Sequence, residues 1–326
     1  MFRQLFTKHS NASQSRKSTR AWLRLQKLEE RLTPASWTQI STAAPIAYAV
    51  DSSGDVFASF AGKGTYELPS GGSWSQLSKS VATVMTVDSS GDLFAGFSNA
   101  GVYEYAAGGT SWAGWSGSPT QAPTAIVTTG STAFASFTGK GIWQFPTGSV
   151  ESQLTQSTPG EMATDSKNDL YANFSSGLYG YNGNWHLLTK SDPTQFTVDS
   201  NADVFAVLPG NGIWEDSGGT WSQLTKNTTA TTIAVDSNGD LFAGFSTGGF
   251  YELTGGSWNQ LASTAPTAIV TDSSSNAFAT FSGGGTWELS AGSSGSEISK
   301  STAASISDYN NVFYAEFGSS SLWDYQ

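Results

Sequence analysis

The chain has 326 residues, 36 of them glycine and none cysteine, which excludes disulfides, thiolate metal sites and cysteine nucleophiles. Charge is divided: residues 1–36 carry eight Lys or Arg against two acids, whereas residues 37–326 carry seven Lys and no Arg against 24 acids, a net charge of −17. An acidic body of this kind repels phosphate backbones, so nucleic acid is excluded as a partner, and no apolar run is long enough to span a membrane as a helix.

The first element in chain order lies in SRKSTRAWLRLQKLEERLTPA. Ala21, Leu25, Leu28 and Leu32 fall on one helical face, basic side chains fall on the other, and Pro34 ends the pattern. An ordinary secretory signal needs about 7 to 15 consecutive apolar residues after its basic start, and MFRQLFTKHSNASQ is too polar to supply them. On the residues alone, a solvated basic helix and an export segment both stay open. The stretch LQKLEERLTPA, Leu25 to Ala35, resembles the leader ending in LE-[DE]-R-x-x-P of many surface and secreted proteins of planctomycete bacteria. That resemblance implies a leader over residues 1–35 and an extracellular or cell-envelope location for residues 36–326.

The remainder is one unit written many times. VDSSGDVFASF begins at Val50, VDSSGDLFAGF at Val87 and VDSNGDLFAGF at Val235. The positions matching the first aspartate are Asp51, Asp88, Thr128, Asp165, Asp199, Asp236, Asp272 and Asp308, at intervals of 37, 40, 37, 34, 37, 36 and 36 residues. Each period reads as an alternating strand, a polar turn, an aromatic strand, a Gly turn, a second aromatic strand, a Gly-Gly turn and a Trp-led strand. Four-stranded units of about 40 residues bury both faces only against their neighbours in a ring. The fold class expected is therefore all-β: a single eight-bladed β-propeller.

The fourth strands are expected to begin at Trp37, Trp74, Trp112 or Trp115, Glu151, Trp185, Trp221, Trp258 and Glu297, so one of them precedes the first complete blade. SWTQI, from Ser36, is expected to complete the last blade, whose own sequence stops after LWDY, and so to latch the ring.

The repeated aspartates Asp51 and Asp55, Asp88 and Asp92, Asp199 and Asp203, and Asp236 and Asp240 admit two readings. As caps they accept backbone N–H groups in the hairpin turn. As ligands they hold calcium, the one metal this pattern suggests, although the EF-hand positions for Gly and Glu are Leu241 and Thr247 here. No other cofactor is expected. The third strand carries Tyr66, Tyr103, Trp143, Tyr179, Trp214, Tyr251, Trp287 and Trp323, either as packing between blades or as stacking platforms for a ligand. His186 is the one histidine of the body, on an expected outer strand. The Gly-Lys-Gly turns at 62–64 and 139–141 lack the P-loop pattern and read as hairpin turns.

DSGGTW, Asp216 to Trp221, resembles the Asp-box turn of sialidase-like propellers, which implies a structural turn between third and fourth strands. A sialidase also requires an arginine cluster, and none follows Arg31. Residues 43–326 resemble the two-component-regulator type of propeller blade, D-x-x-G-x-[LIV]-[FWY]-x-[GA] followed by G-[LIV]-x-x-[FY], and also tectonin-type lectin blades. By that analogy the chain is an exported, monomeric, non-catalytic module that binds glycan or protein at the cell surface. Its candidate ligand-binding residues are Lys63, Lys140 and Asn211, on the face shared by the second-to-third turns and the connections between blades. Two alternatives remain: a hydrolase or lyase using carboxylates such as Glu215 and Asp216, and a purely structural envelope repeat.

Overall fold

Blade 1 is built from Ala47–Val50, Val56–Phe60, Gly64–Leu68 and Ser75–Ser78, antiparallel and hydrogen-bonded in that order. VFASF is buried at all five positions, whereas the outer strand SQLS is exposed over its first half. A strand covered on both faces reads as a near-continuous apolar run, and here the covers are the two neighbouring blades. The computed structural model describes residues 36–290, 295–309, 312–318 and 321–325. The basic leader expected over residues 1–35 lies outside the described residues.

The same sheet recurs from Ala82–Val87 to Trp112–Gly114 in blade 2, Ala125–Thr129 to Ser152–Thr155 in blade 3, and Glu161–Thr164 to Trp185–Thr189 in blade 4. Blade 5 runs from Gln195–Val198 to Thr220–Thr225, blade 6 from Ala230–Val235 to Ser257–Ala262, and blade 7 from Ala268–Thr271 to Ser296–Ser299. Blade 8 contributes Ala303–Tyr309, Val312–Phe317 and Leu322–Tyr325, and takes Trp37–Ser41 as its fourth strand. The fold is an eight-bladed β-propeller closed by its early strand. Trp37 pairs with Tyr325 and Gln39 with Trp323, and the Trp37 ring meets Phe313, Phe317 and Tyr325 at centroid distances of 5.7, 4.9 and 5.1 Å.

Between blades the core is a set of wedges. Phe57 of blade 1 packs with Met85, Leu93 and Ala95 of blade 2, and Phe134 of blade 3 packs with Met162, Leu170 and Ala172 of blade 4. Each such buried ring contributes about 1.5–3 kcal/mol. Hydrogen bonds stitch the wedges at both rims. Near the axis, Thr128 donates to the Val87 carbonyl, Thr164 to Thr128 and Thr271 to Val235, at 2.8 to 2.9 Å. At the outer rim, the indole N–H of Trp74 donates to the Ile40 carbonyl of the preceding blade, at 3.0 Å.

Glycine opens the third strand in blades 1 to 7, and Leu322 opens it in blade 8; in blade 1 the chain there runs against the end of the fourth strand. A Cβ on Gly64, whose φ is +108°, would lie 2.1 Å from the Ser78 carbonyl oxygen.

The register corrects three sequence expectations. Thr128 pairs with Ala133 and Asp308 with Phe313, in line with Val50 opposite Val56, so both are strand residues. The turn position belongs to Thr129, because blade 3 closes on the two-residue turn Gly130-Ser131, shorter than its counterparts. The third correction concerns blade 7, whose fourth strand starts at Ser296. There Glu297 faces Trp287 as Gln76 faces Tyr66, and Gly295 stands where Trp74 does. The fourth strand of blade 2 begins at Trp112. DSGGTW is a third-to-fourth turn as expected, with Gly218 and Gly219 at φ +58° and +84° between paired Ser217 and Thr220.

Candidate functional site

The first-to-second and third-to-fourth turns form one face of the ring, where the repeated aspartates lie. Asp51 Oδ1 accepts the N–H groups of Ser53 and Asp55, both at 2.9 Å. Asp88, Asp165, Asp199, Asp236 and Asp272 repeat this double acceptance from the residues two and four positions on. The residue just before the second donor has positive φ in every case: Gly54, Gly91, Asn168, Ala202, Gly239 and Ser275. Glycine suits that position, and Ala202 and Ser275 occupy it at a steric cost. Asp55 and Asp92 carry the cap further, accepting the Ser70 and Ala107 N–H groups at 2.7 Å and so tying the first turn to the third. One oxygen of each capping aspartate is thus spent on backbone donors. Among the described residues no three acidic or histidine side chains converge in an arrangement that could hold a metal ion. A cation engaging these Oδ1 atoms would compete with those N–H groups, whereas Asp88 Oδ2 and Asp236 Oδ2 are buried without a hydrogen-bond donor.

A third repeated acid escapes the sequence reading. Glu67, Glu104, Glu215, Glu252, Glu288 and Asp324 follow the third-strand aromatic, and Gln144 and Gly180 take the position in blades 3 and 4. The signal was legible in YEL, YEY, WED, YEL, WEL and WDY. Burial raises the carboxyl pKa of Glu67, Glu104, Glu215, Glu252 and Glu288, and the turn aspartates of the same blade raise it further by repulsion. Glu104 accepts the Thr147 hydroxyl from blade 3 at 3.0 Å. Glu252 is only 2% exposed, and its Oε1, together with Asp236 Oδ2, is buried without a hydrogen-bond donor. Blade 4, which has Gly180 instead, lets the Tyr171 hydroxyl donate to Asp165 Oδ2 at 3.1 Å.

Asp216 also has a raised pKa through burial, opposed by the Gly219 N–H. Glu215 and Asp216 are consecutive on one strand, so they project to opposite faces of the sheet and do not converge on a common substrate. His186 is exposed over Gly180, with Asp169 and Asp216 in its electrostatic neighbourhood.

The opposite face holds Lys63, Lys140 and Asn211, all exposed, on the second-to-third turns of blades 1, 3 and 5. These blades are not adjacent, so the three side chains mark separate positions around the rim. Their turns are pinned from beneath: the Gln76, Gln153 and Gln223 amides donate to the carbonyls of Lys63, Lys140 and Asn211 at 2.7, 2.8 and 2.6 Å. The Trp143 and Trp214 indoles donate to two of the same carbonyls.

The third-strand aromatic is half-buried in all eight blades. One side of the ring packs edge-on to the second-strand phenylalanine, as in Phe60–Tyr66, Phe97–Tyr103, Phe174–Tyr179 and Phe245–Tyr251, with centroids 5.7 to 6.0 Å apart. In three blades the ring also walls a groove against the end of the preceding blade. The groove beside Tyr66 has about 250 Å³, that beside Tyr179 about 170 Å³ and that beside Trp287 about 430 Å³. The two readings of these aromatics therefore divide between the two sides of one ring.

The axial channel offers a further cavity of about 400 Å³ lined by first strands of blades 4 to 8. Its polar groups are engaged between blades: Glu161 accepts the Phe196 N–H at 3.2 Å, and Gln195 Oε1 accepts the Ile233 N–H at 2.7 Å.

No family model matches the chain, and no curated protein matches it. Solved structures do. The computationally designed Ika8 protein is similar over 88% of this chain and 98% of its own, with a TM-score of 0.64 and 14% identity. YCF48 bound to D1 peptide is similar over 90% and 96%, with a TM-score of 0.54 and 12% identity. The extracellular domain of the one-component system BT4673 from B. thetaiotaomicron is similar over 86% of this chain but 51% of that one, with a TM-score of 0.50 and 13% identity. At these identities the likeness is one of fold.

Proposed function

We propose that the chain is an exported, non-catalytic propeller that binds a polypeptide ligand at the cell envelope through the face bearing the second-to-third turns. The observation that carries this reading is the aromatic groove between blades, walled in three blades by the half-buried Tyr66, Tyr179 or Trp287. Rigid aromatic rings with one side free give large contact area at low entropic cost, and loops on a rigid scaffold are the usual seat of recognition. The structural neighbours supply context: one carries a bound peptide and another is an extracellular domain. The acidic body favours a ligand of neutral or basic character.

A glycan is the second reading, favoured by the same half-exposed rings, which can stack on sugar faces. Display of the full chain on a peptide array and a glycan array separates the two. Saturable peptide binding weakened by Tyr66→Ala or Trp287→Ala supports the first; binding confined to glycans overturns it in favour of the second.

A further inference from the structure

The outer-rim stitch seen at Trp74 recurs in five more blades. Trp37 donates to Ile298, Trp112 to Leu77, Trp185 to Leu154, Trp221 to Leu188 and Trp258 to Leu224, at 2.7 to 3.3 Å. In each case the acceptor lies on the fourth strand of the preceding blade, and the indole fills the wedge between the two sheets. Two junctions lack this tryptophan. At the junction of blades 2 and 3 its place is taken by Glu151, and Trp115 fills the wedge from the other side. That ring stacks on Phe94, sits 5.0 Å from Phe145 and donates to the Ser149 carbonyl.

At the junction of blades 6 and 7 no described residue substitutes for it. Gly295 holds the tryptophan position at φ +65°, and a Cβ there would lie 3.1 Å from Leu289 Cγ, so the backbone cannot carry a side chain without displacement. The groove at this junction is lined by Leu261, Ala262, Ser263, Phe281, Trp287 and Leu289. At about 430 Å³ it falls in the range of about 300–1,000 Å³ typical of ligand pockets. The equivalent grooves that Trp74 and Trp185 line reach only about 250 and 170 Å³. By the three-residue offset of every other stitch, Leu261 supplies the matching carbonyl. The rim differs too: Glu297, exposed and paired across the sheet with Trp287, brings a carboxylate where Gln76, Gln153, Gln223 and Gln260 bring amides. Lys300, also exposed, lies beyond the end of that strand.

We infer that this groove is a receptor slot for one tryptophan side chain of a partner polypeptide, with a basic residue next to it in sequence. The occupant's chemistry is set by the molecule itself, because six junctions show an indole in this wedge donating to this carbonyl. Charge complementarity with Glu297 and with the −17 body adds the neighbouring cation. The inference rests on the polypeptide-binding reading and confines it to a single site per chain.

The test uses the full chain and the probe N-acetyl-Lys-(5-fluoro-Trp)-Lys-amide, followed by fluorine NMR so that the protein's own tryptophans are silent. Saturable one-to-one binding is expected, weakened at least about tenfold when leucine replaces the tryptophan of a competing peptide. Ser263→Trp, at an exposed wall residue, fills the slot and should abolish binding without lowering the melting temperature. Glu297→Gln should weaken the basic probe about threefold and leave N-acetyl-tryptophanamide unchanged. Absence of saturable binding, or binding that Ser263→Trp leaves intact, overturns the slot. If array ligands of the full chain survive Ser263→Trp, the slot alone falls; if arrays and probe are both silent, the polypeptide-binding reading falls with it.

Discussion

The two faces of the ring use their repeated side chains in opposite ways. On the face of the aspartate turns, Asp51, Asp88 and their counterparts point inward to backbone N–H groups, and what repeats is a fastening. On the other face the turns of blades 1, 3 and 5 are fastened from beneath by Gln76, Gln153 and Gln223, and the rings of Tyr66, Tyr179 and Trp287 wall open grooves. The aspartates that recur in six of the eight repeats are thus architectural here, and the third-strand aromatic residues offer surface toward the other face. Repetition alone does not distinguish these roles; the direction of the hydrogen bonds does.

The comparison can be broken most severely at the closure that both faces depend on. Deleting residues 36–41 removes the latch strand and the Trp37 ring, and should lower the melting temperature by more than about 10 °C in a calorimetric scan, the equivalent of several kcal/mol. Trp37→Ala should lose a part of this, about 2–3 kcal/mol, because the ring is only half-buried.

Removing a cap comes next. Asp88→Ala strands two backbone N–H groups and should cost about 1–2 kcal/mol in denaturant unfolding, while ligand binding on the opposite face is unchanged.

The buried glutamates sharpen the comparison through pH. Glu67, Glu104, Glu215, Glu252 and Glu288 have folded pKa values above their unfolded ones, so in the window between the two the folded chain holds more protons. Their stabilisation is full below the ordinary glutamate value of about 4.3 and is lost as pH rises through the raised values. The melting temperature should therefore rise as pH is lowered from 7 towards about 5. Glu252→Gln supplies the amide that blade 3 has as Gln144 and removes a buried unpaired carboxylate oxygen. It should raise stability at pH 7 by about 1 kcal/mol, roughly 2 °C, and flatten the pH dependence. The smallest effect belongs to calcium: with one oxygen of each cap engaged by N–H groups and no three acidic or histidine side chains converging among the described residues, millimolar calcium or a chelator should shift the melting temperature by less than about 1 °C.

Most of the fold was legible from the sequence because each strand and turn repeats with its own chemistry. The eight-bladed count, the latch at Trp37 and the Asp216–Trp221 turn all followed from spacing. Register failed by one residue at Thr128 and Asp308, where loop length departs from the period and the aspartate no longer marks the turn. Glu297 was misread for a related reason: the tryptophan that normally marks the fourth strand is absent, and the acid belongs two positions later, in the place of a glutamine. The site was less legible. Lys63, Lys140 and Asn211 lie on second-to-third turns as expected, yet the grooves arise from pairs of blades, and no single repeat contains both walls. The third-strand acids were readable after each aromatic, but their burial depends on the neighbouring blade.

The most direct measurement is array binding by full-length chains carrying Trp287→Ala or Asp236→Ala, with the melting temperature recorded on the same samples and binding read well below it. If one face fastens and the other binds, Trp287→Ala loses ligand while still folded, beyond the roughly 2–3 kcal/mol of stability its half-buried ring costs, whereas Asp236→Ala loses its cap and some stability and keeps its ligand. Loss of ligand in Asp236→Ala with binding retained in Trp287→Ala would contradict that division.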